Sequence, residues 1–273
     1  MSARYDEYVM GNTSAEYQRL RTQARAWEEA TVRVLKKTGL GPGAHCLDAG
    51  CGPGEVMRLM REMVGPSGHI TGVDADGNAG AEALGALTSV YGANIAFHQG
   101  DLTSGNPVPG APFDLVFARL VLFHQREQIA FLQKLWNLTK PGGTLVVMDY
   151  DIPVTTDGWG SMANPIRDFI VGTFKQAGLD PAIGRRVPEY LVTAGIGRPD
   201  GVDASTLFAP ATELAAMSVS VAQSLLPVAE RFGTITPDAF NAMIEDFKAS
   251  AAKSPAWMYW PMMVAAWKVK PAA

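Results

Sequence analysis

Three aspartates and a glycine turn carry most of the chemistry legible in this chain. Residues 46–54 read "CLDAGCGPG", a strand-like run that ends in glycines and opens a helix-like "EVMRLMREMV". Asp48 stands two residues before Gly50. Asp74 closes the next strand-like run, "HITGVD", and Asp101 follows the third, "NIAFHQ". A strand-to-helix turn built on Gly50 and Gly52 lets a ligand approach bare backbone. In open α/β sheets ligands gather where the strands end. A P-loop needs GxxxxGK followed by Ser or Thr, and that lysine is missing here. The dinucleotide fingerprint is GxGxxG, whereas this chain has GxGxG with Pro53 inside it. Carboxylates on three successive strands would repel a pyrophosphate and suit a cationic adenosyl ligand. Asp74 also lies about 20 residues beyond the turn, where an acidic group meets ribose hydroxyls.

The elements that must position these residues alternate regularly. Strand-like runs at 45–50, 69–74, 94–101, 113–123 and 143–151 are separated by helix-like stretches at 54–64, 78–92 and 126–140. That rhythm predicts a parallel sheet wound with helices on both faces. An amphipathic stretch ending at Gly39 precedes it and reads as one helix, with Trp27 on its apolar stripe. After Asp151 the rhythm breaks. Helices are expected at 164–178, 185–195, 213–233 and 236–253, a strand at 205–212, and one closing strand at 257–270. The later helices are expected to form a cap over the open end of the sheet.

In order, "LDAGCGPG", "GVDAD", "GDL", "FDLVFARLVLFH" and "LTKPGGTLVVMDYD" resemble the motifs of class I S-adenosylmethionine-dependent methyltransferases. The likeness is to the small-molecule group, ubiquinone/menaquinone-methyltransferase-like or natural-product tailoring. It implies an α/β, Rossmann-like seven-stranded methyltransferase sheet in the order 3-2-1-4-5-7-6, its last strand antiparallel, with a helical cap. Residues 1–39 would close over the cofactor. Residues 40–273 would form the methyltransferase domain, with cap helices within about 152–253. The cofactor would be S-adenosylmethionine and its product S-adenosylhomocysteine, with no metal.

Carried over residue by residue, the resemblance sets Gly50 and Gly52 against the methionyl part, with Asp48 supporting the turn or reaching the ammonium. Asp74 would take the ribose hydroxyls and Ala75 would lie beside the adenine. Asp101 would accept from the adenine amine, with Leu102 on the ring, and Arg119 would offer backbone to the methionyl end. Tyr8 and Gln23 would contact the cofactor from the N-terminal segment. His124, Asp149 and Tyr150 are the candidate catalytic groups, since they follow the fourth strand or end the fifth.

The reaction implied is methyl transfer to the O, N or C of a small, largely apolar or aromatic acceptor. Natural-product biosynthesis such as indole-terpenoid C-methylation is one branch of it. The alternatives are an NAD-dependent oxidoreductase and a non-catalytic adenosyl-binding scaffold, because a fold does not fix an activity. Composition narrows the partners. Of 273 residues 23 are Lys or Arg and 27 Asp or Glu, a net charge of −4 with no basic stripe, which argues against nucleic acid. No apolar run reaches the roughly 18 residues of a membrane span. Two cysteines, Cys46 and Cys51, make no disulfide framework, so a cytoplasmic protein is expected. A homo-oligomer through the N-terminal helix is a further expectation.

Overall fold

The computed structural model describes residues 14–104, 106–154 and 165–272. Its strands in chain order are β1 (His45–Ala49), β2 (His69–Asp74), β3 (Ile95–Gln99), β4 (Phe113–Arg119), β5 (Thr139–Asp151), β6 (Gly201–Ser205), β7 (Phe208–Pro210), β8 (Trp257–Tyr259) and β9 (Met262–Val269). Seven of them make one sheet in the order β3-β2-β1-β4-β5-β9-β6, and β7 pairs with β8 in a separate ribbon. Within the sheet β9 alone runs antiparallel to its neighbours. Numbered within the sheet, this is the expected order 3-2-1-4-5-7-6.

The central strands form because their sequences are apolar on both faces. Leu47, Leu115, Val116, Phe117, Leu145 and Val146 are all buried, as parallel strands covered by helices must be. The helices are α1 (Ser14–Ala26), α2 (Glu28–Lys37), α3 (Glu55–Val64), α4 (Gly77–Tyr91), α5 (Gln128–Leu138), α6 (Pro165–Gln176), α7 (Ile183–Thr193), α8 (Ala211–Arg231) and α9 (Pro237–Lys253). Among them α3, α4, α5 and α7 lie against the strands, while α6, α8 and α9 pack on one another.

Several expectations need correction. The N-terminal helix is two helices, because Trp27 leaves helical geometry at φ −100° and ψ 9°. Its indole is 1% exposed and donates from Nε1 to Tyr150 Oη at 2.6 Å, so it packs inside this chain. The fourth strand stops at Arg119. Leu120 then takes a left-handed φ of 58°, and Leu122–His124 form a single 3-10 turn. A stretch expected as one strand at 205–212 divides between the end of β6 and β7, and the closing strand breaks at Trp260–Pro261. The sequence of β6 gave no strand signal because this edge strand buries little, with residues alternating between partly buried and exposed.

One expected cap helix, α7, belongs to the sheet instead. A Cβ on Gly184 would meet Asp149 O at 2.6 Å and the Tyr150 carbonyl carbon at 2.7 Å, so α7 sits directly on the β5 backbone. Gly184→Ala is therefore expected to destabilise the fold by about 1–3 kcal/mol, because backbone cannot yield as a side chain does. Gly172 in α6 has nothing within 4 Å of such a Cβ. There Gly172→Ala should be neutral or stabilising by up to about 1 kcal/mol. Urea denaturation of both variants checks the pair, and equal effects would refute the packing account.

Candidate active site

A cavity of about 810 Å³ opens at the C-terminal ends of the strands. Its polar end is made by the turn after β1. Gly50 has φ +76°, and a Cβ there would drive into the Val121 side chain. Gly52 has φ +45° with nothing within 4 Å of a Cβ, so it presents bare backbone to the cavity. The turn is fixed to β2. Gly50 N–H and Cys51 N–H donate to Val73 O at 2.8 and 3.1 Å. Gly52 N–H donates to Asp74 Oδ2 at 2.7 Å, and Asp76 N–H to Asp74 Oδ1 at 2.9 Å. Burial raises the pKa of the Asp74 carboxyl, and those N–H groups oppose the rise.

Asp76, not Asp74, caps the following helix, accepting from Asn78 N–H and Ala79 N–H at 3.0 and 3.2 Å. Its other oxygen takes the Tyr17 hydroxyl at 2.6 Å, which draws α1 over the cavity. Burial, and then this bond to Asp76, push Tyr17 up to about 12.

Asp48 is 2% exposed, lines the cavity and keeps Oδ2 without a hydrogen-bond partner. Burial pushes its carboxyl up to about 7, against the pull of Arg119. Arg119, expected to offer backbone, lines the cavity and turns its guanidinium inward, where Nη1 donates to Thr31 Oγ1 at 2.9 Å and its charge faces Asp48. Ala75, Asp101 and Leu102 line the same cavity. Asp101 is exposed there and accepts Thr103 N–H at 2.7 Å, and Leu102 is buried.

The candidate catalytic groups separate. Tyr150 lines the cavity, and its Oη accepts from Gln23 Nε2 at 2.8 Å, Trp27 Nε1 at 2.6 Å and Trp260 Nε1 at 3.2 Å. Gln23 is thus at the cavity wall, held to β5. His124 lines the cavity with its ring against Phe123, tilted by 41° at a centroid distance of 3.7 Å. Burial, and next the Arg19 charge, push its imidazole down to about 3.

Asp149 is a correction. It is fully buried outside the cavity lining, accepting Phe123 N–H at 3.1 Å and Tyr150 N–H at 2.8 Å. Strand alternation sends it to the face opposite Tyr150, where it holds the 3-10 turn that carries His124. Tyr8 lies outside the described residues. Among the described residues no three His, Cys, Asp or Glu side chains gather as a metal site. None of the described helices is long and apolar enough to cross a membrane.

Sequence reasoning missed Tyr17, Asp76 and Val121. Asp76 carried a signal, since an aspartate opening "DGNAGAEAL" is an N-cap in form. The other two reach the site through tertiary packing and carry no local signal.

At its far end the cavity is apolar, walled by Phe123, Ile152, Ile166, Ile170, Phe174 and Met258. A glycine turn with acidic neighbours, joined to an apolar chamber at the mouth of a 3-2-1-4-5-7-6 sheet, is the arrangement of the Rossmann-like methyltransferase fold. Comparison with known proteins agrees. Residues 40–169 match a family described as a methyltransferase domain.

The chain is 26% identical over 152 residues to the demethylmenaquinone methyltransferase of Listeria monocytogenes, covering 54% of this chain and 60% of that one. It is 32% identical over 132 residues to the ubiquinone/menaquinone biosynthesis C-methyltransferase of Hahella chejuensis, covering 47% and 51%. It thus spans about 60% of the length of the first of these relatives and about half of the second. A putative methyltransferase structure from Bacillus halodurans superposes with a TM-score of 0.61 at 13% identity, over 89% of this chain and 100% of that one. The cyclase SpnF gives 0.54 at 21% identity, over 90% and 82%.

The His124 environment makes a direct prediction. Its imidazole is expected to stay neutral from about pH 5 to 8, so its ring carbon–proton NMR signal should not move over that range. A titration near the ordinary histidine value would refute this account of its surroundings.

Proposed function

We propose that this chain transfers the methyl group of S-adenosylmethionine to a small, largely apolar or aromatic acceptor and releases S-adenosylhomocysteine. The observation that carries the proposal is the division of one cavity into two chemistries. Its polar end has Asp48 with an unpartnered oxygen opposite the Arg119 charge, and its other end is a hydrocarbon wall. A zwitterionic amino-acid group fits the first, with its ammonium toward Asp48 and its carboxylate toward Arg119. In this reading Asp74 takes the ribose hydroxyls and the adenine lies by Ala75, Asp101 and Leu102; its support is that all four line the cavity. The lining carries Asp48, Glu55, Asp74, Asp76 and Asp101 against Arg19, Arg119 and Arg167, a balance that disfavours a pyrophosphate.

S-adenosylmethionine, when bound, supplies an electrophilic methyl group on a sulfonium. The residues of the chain then hold the acceptor in line and keep water out, and alignment alone supplies much of the acceleration of such a displacement. His124 is neutral beside the apolar wall, and the burial that lowers its pKa makes it a weak base, so the reading asks alignment rather than this ring to drive the transfer. Relatives named as quinone methyltransferases favour an aromatic acceptor, and indole-terpenoid C-methylation fits the same chamber.

Calorimetry with S-adenosylhomocysteine and, separately, with NADH tests the reading. The homocysteine compound is expected to bind at micromolar concentration, and Asp74→Ala to weaken it about tenfold or more by removing a charge-assisted contact. Binding of NADH alone would make the chain an oxidoreductase.

The pH dependence has a defined sign. Asp48 ionises only as pH rises through about 7, and its anion is the form that attracts an ammonium. Affinity should therefore increase about tenfold from pH 6 to 8, and Asp48→Asn should flatten the dependence. The empty fold shows the opposite trend. A carboxyl raised by burial binds its proton more tightly folded than unfolded, so Asp48 takes stability away as pH climbs toward 7.

A further inference from the structure

Hydrogen-bond accounting at Tyr150 leaves one proton over. Two of the three donors to its oxygen are indoles, which only donate. The third, Gln23, is oriented by its neighbour: its Oε1 accepts Arg19 Nη1–H at 2.5 Å, so turning the amide over would set two donors face to face. The bonds from Trp27 and Gln23, at 2.6 and 2.8 Å, fill both lone pairs of a phenol oxygen. Among the described residues nothing accepts the Tyr150 O–H itself. The side chain is 8% exposed, and the surface it shows belongs to the cavity.

Trp260 is in a similar position. It is 5% exposed, lines the cavity, and reaches Tyr150 Oη only at 3.2 Å, on an oxygen that two shorter bonds already occupy. Its N–H is therefore the most readily diverted of the three. A buried donor without a partner costs about 1–3 kcal/mol, a cost that a ligand atom can remove.

We propose that Tyr150 Oη–H and Trp260 Nε1–H together form a seat for one oxygen atom of the acceptor, which is therefore an apolar body carrying a phenolic, enolic or other hydroxyl oxygen. Two donors on one oxygen favour its anion over its neutral form. The two bonds that Tyr150 accepts polarise its O–H and make it a stronger donor. An acceptor seated this way is held with its oxygen electron-rich, the state in which a ring oxygen or an adjacent ring carbon attacks a methyl group. Giving the seat to the acceptor rests on the methyl-transfer reading, whereas the unspent Tyr150 proton and the long Trp260 bond do not.

The test is equilibrium dialysis of the full chain against 2-naphthol and naphthalene, with S-adenosylhomocysteine present and absent. The wild type is expected to hold 2-naphthol about tenfold more tightly than naphthalene. Absorbance of the bound 2-naphthol should show ionisation at a lower pH than in water. Tyr150→Phe and Trp260→Phe should each remove most of that preference and of the ionisation shift while leaving naphthalene affinity unchanged. Trp260→Phe keeps the two short bonds that anchor Tyr150, so it reports on the seat even where Tyr150→Phe unfolds the chain.

Equal loss of both probes in Trp260→Phe would mean a packing role and would overturn the seat. Equal affinity for both probes in the wild type would overturn it too. So would failure of both to bind, since a cavity of about 810 Å³ has room for a two-ring phenol. If S-adenosylhomocysteine does not bind but the preference for 2-naphthol stands, the transfer reading falls and the seat remains.

Discussion

The Asp74 carboxylate is the fixed point of the polar site. It answers Gly52 N–H with one oxygen and Asp76 N–H with the other. Hydrogen bonds to a charged acceptor are worth more than neutral ones, about 1.5–3 kcal/mol each. These two join the turn after β1 to the start of α4 across the end of β2. Asp76 continues the chain of contacts, capping α4 and receiving the Tyr17 hydroxyl from α1. Removing the carboxylate would leave two backbone donors unanswered and free the turn that shapes the cavity. A residue that reads as a ligand contact is thus also the local scaffold.

The remaining charges follow from burial. Asp48 and Arg119 face each other in a region of low dielectric, without a direct hydrogen bond between them among the described contacts. Each charge is costly to bury and only partly compensated by the other. Burial moves the Asp48 carboxyl toward its neutral form, and Arg119 resists that change. A ligand bearing both an ammonium and a carboxylate would compensate both charges at once. The same logic explains His124, whose low pKa follows from burial and the Arg19 charge. Its neutrality keeps a competing cation away from the apolar chamber.

The polar end was legible in sequence because its parts are local. "LDAGCGPG" and "GVDAD" are each contiguous, and strand periodicity sends their aspartates to one edge of the sheet. The order of the sheet followed from the motif series and holds in the structure. Misread elements were those whose form is set from a distance. Trp27 breaks its helix in order to reach Tyr150, 123 residues away in sequence. The edge strand β6 lacks an apolar run because it has little to bury. Asp149 and Tyr150 were weighed alike as neighbours, and only the pleat separates a buried brace from a cavity-lining phenol.

The apolar end of the cavity resists sequence reading for a physical reason. Its wall draws on β5, on the turn after β4, on α6, on α8 and on the segment between β8 and β9, so no short stretch spells it. Tyr150 shows how such a site acquires specificity. One phenol oxygen accepts from α1, from the Trp27 break and from the segment between β8 and β9, fixing three distant segments around a single atom. Fixing them uses up the capacity of that oxygen to accept and leaves its proton directed elsewhere. The packing that closes the N-terminal helices over the sheet therefore also sets the polarity of the chamber beneath them. A chain with the same glycine turn and another residue at position 150 would keep the polar end of the cavity and alter the hydrogen bonds offered in its apolar chamber.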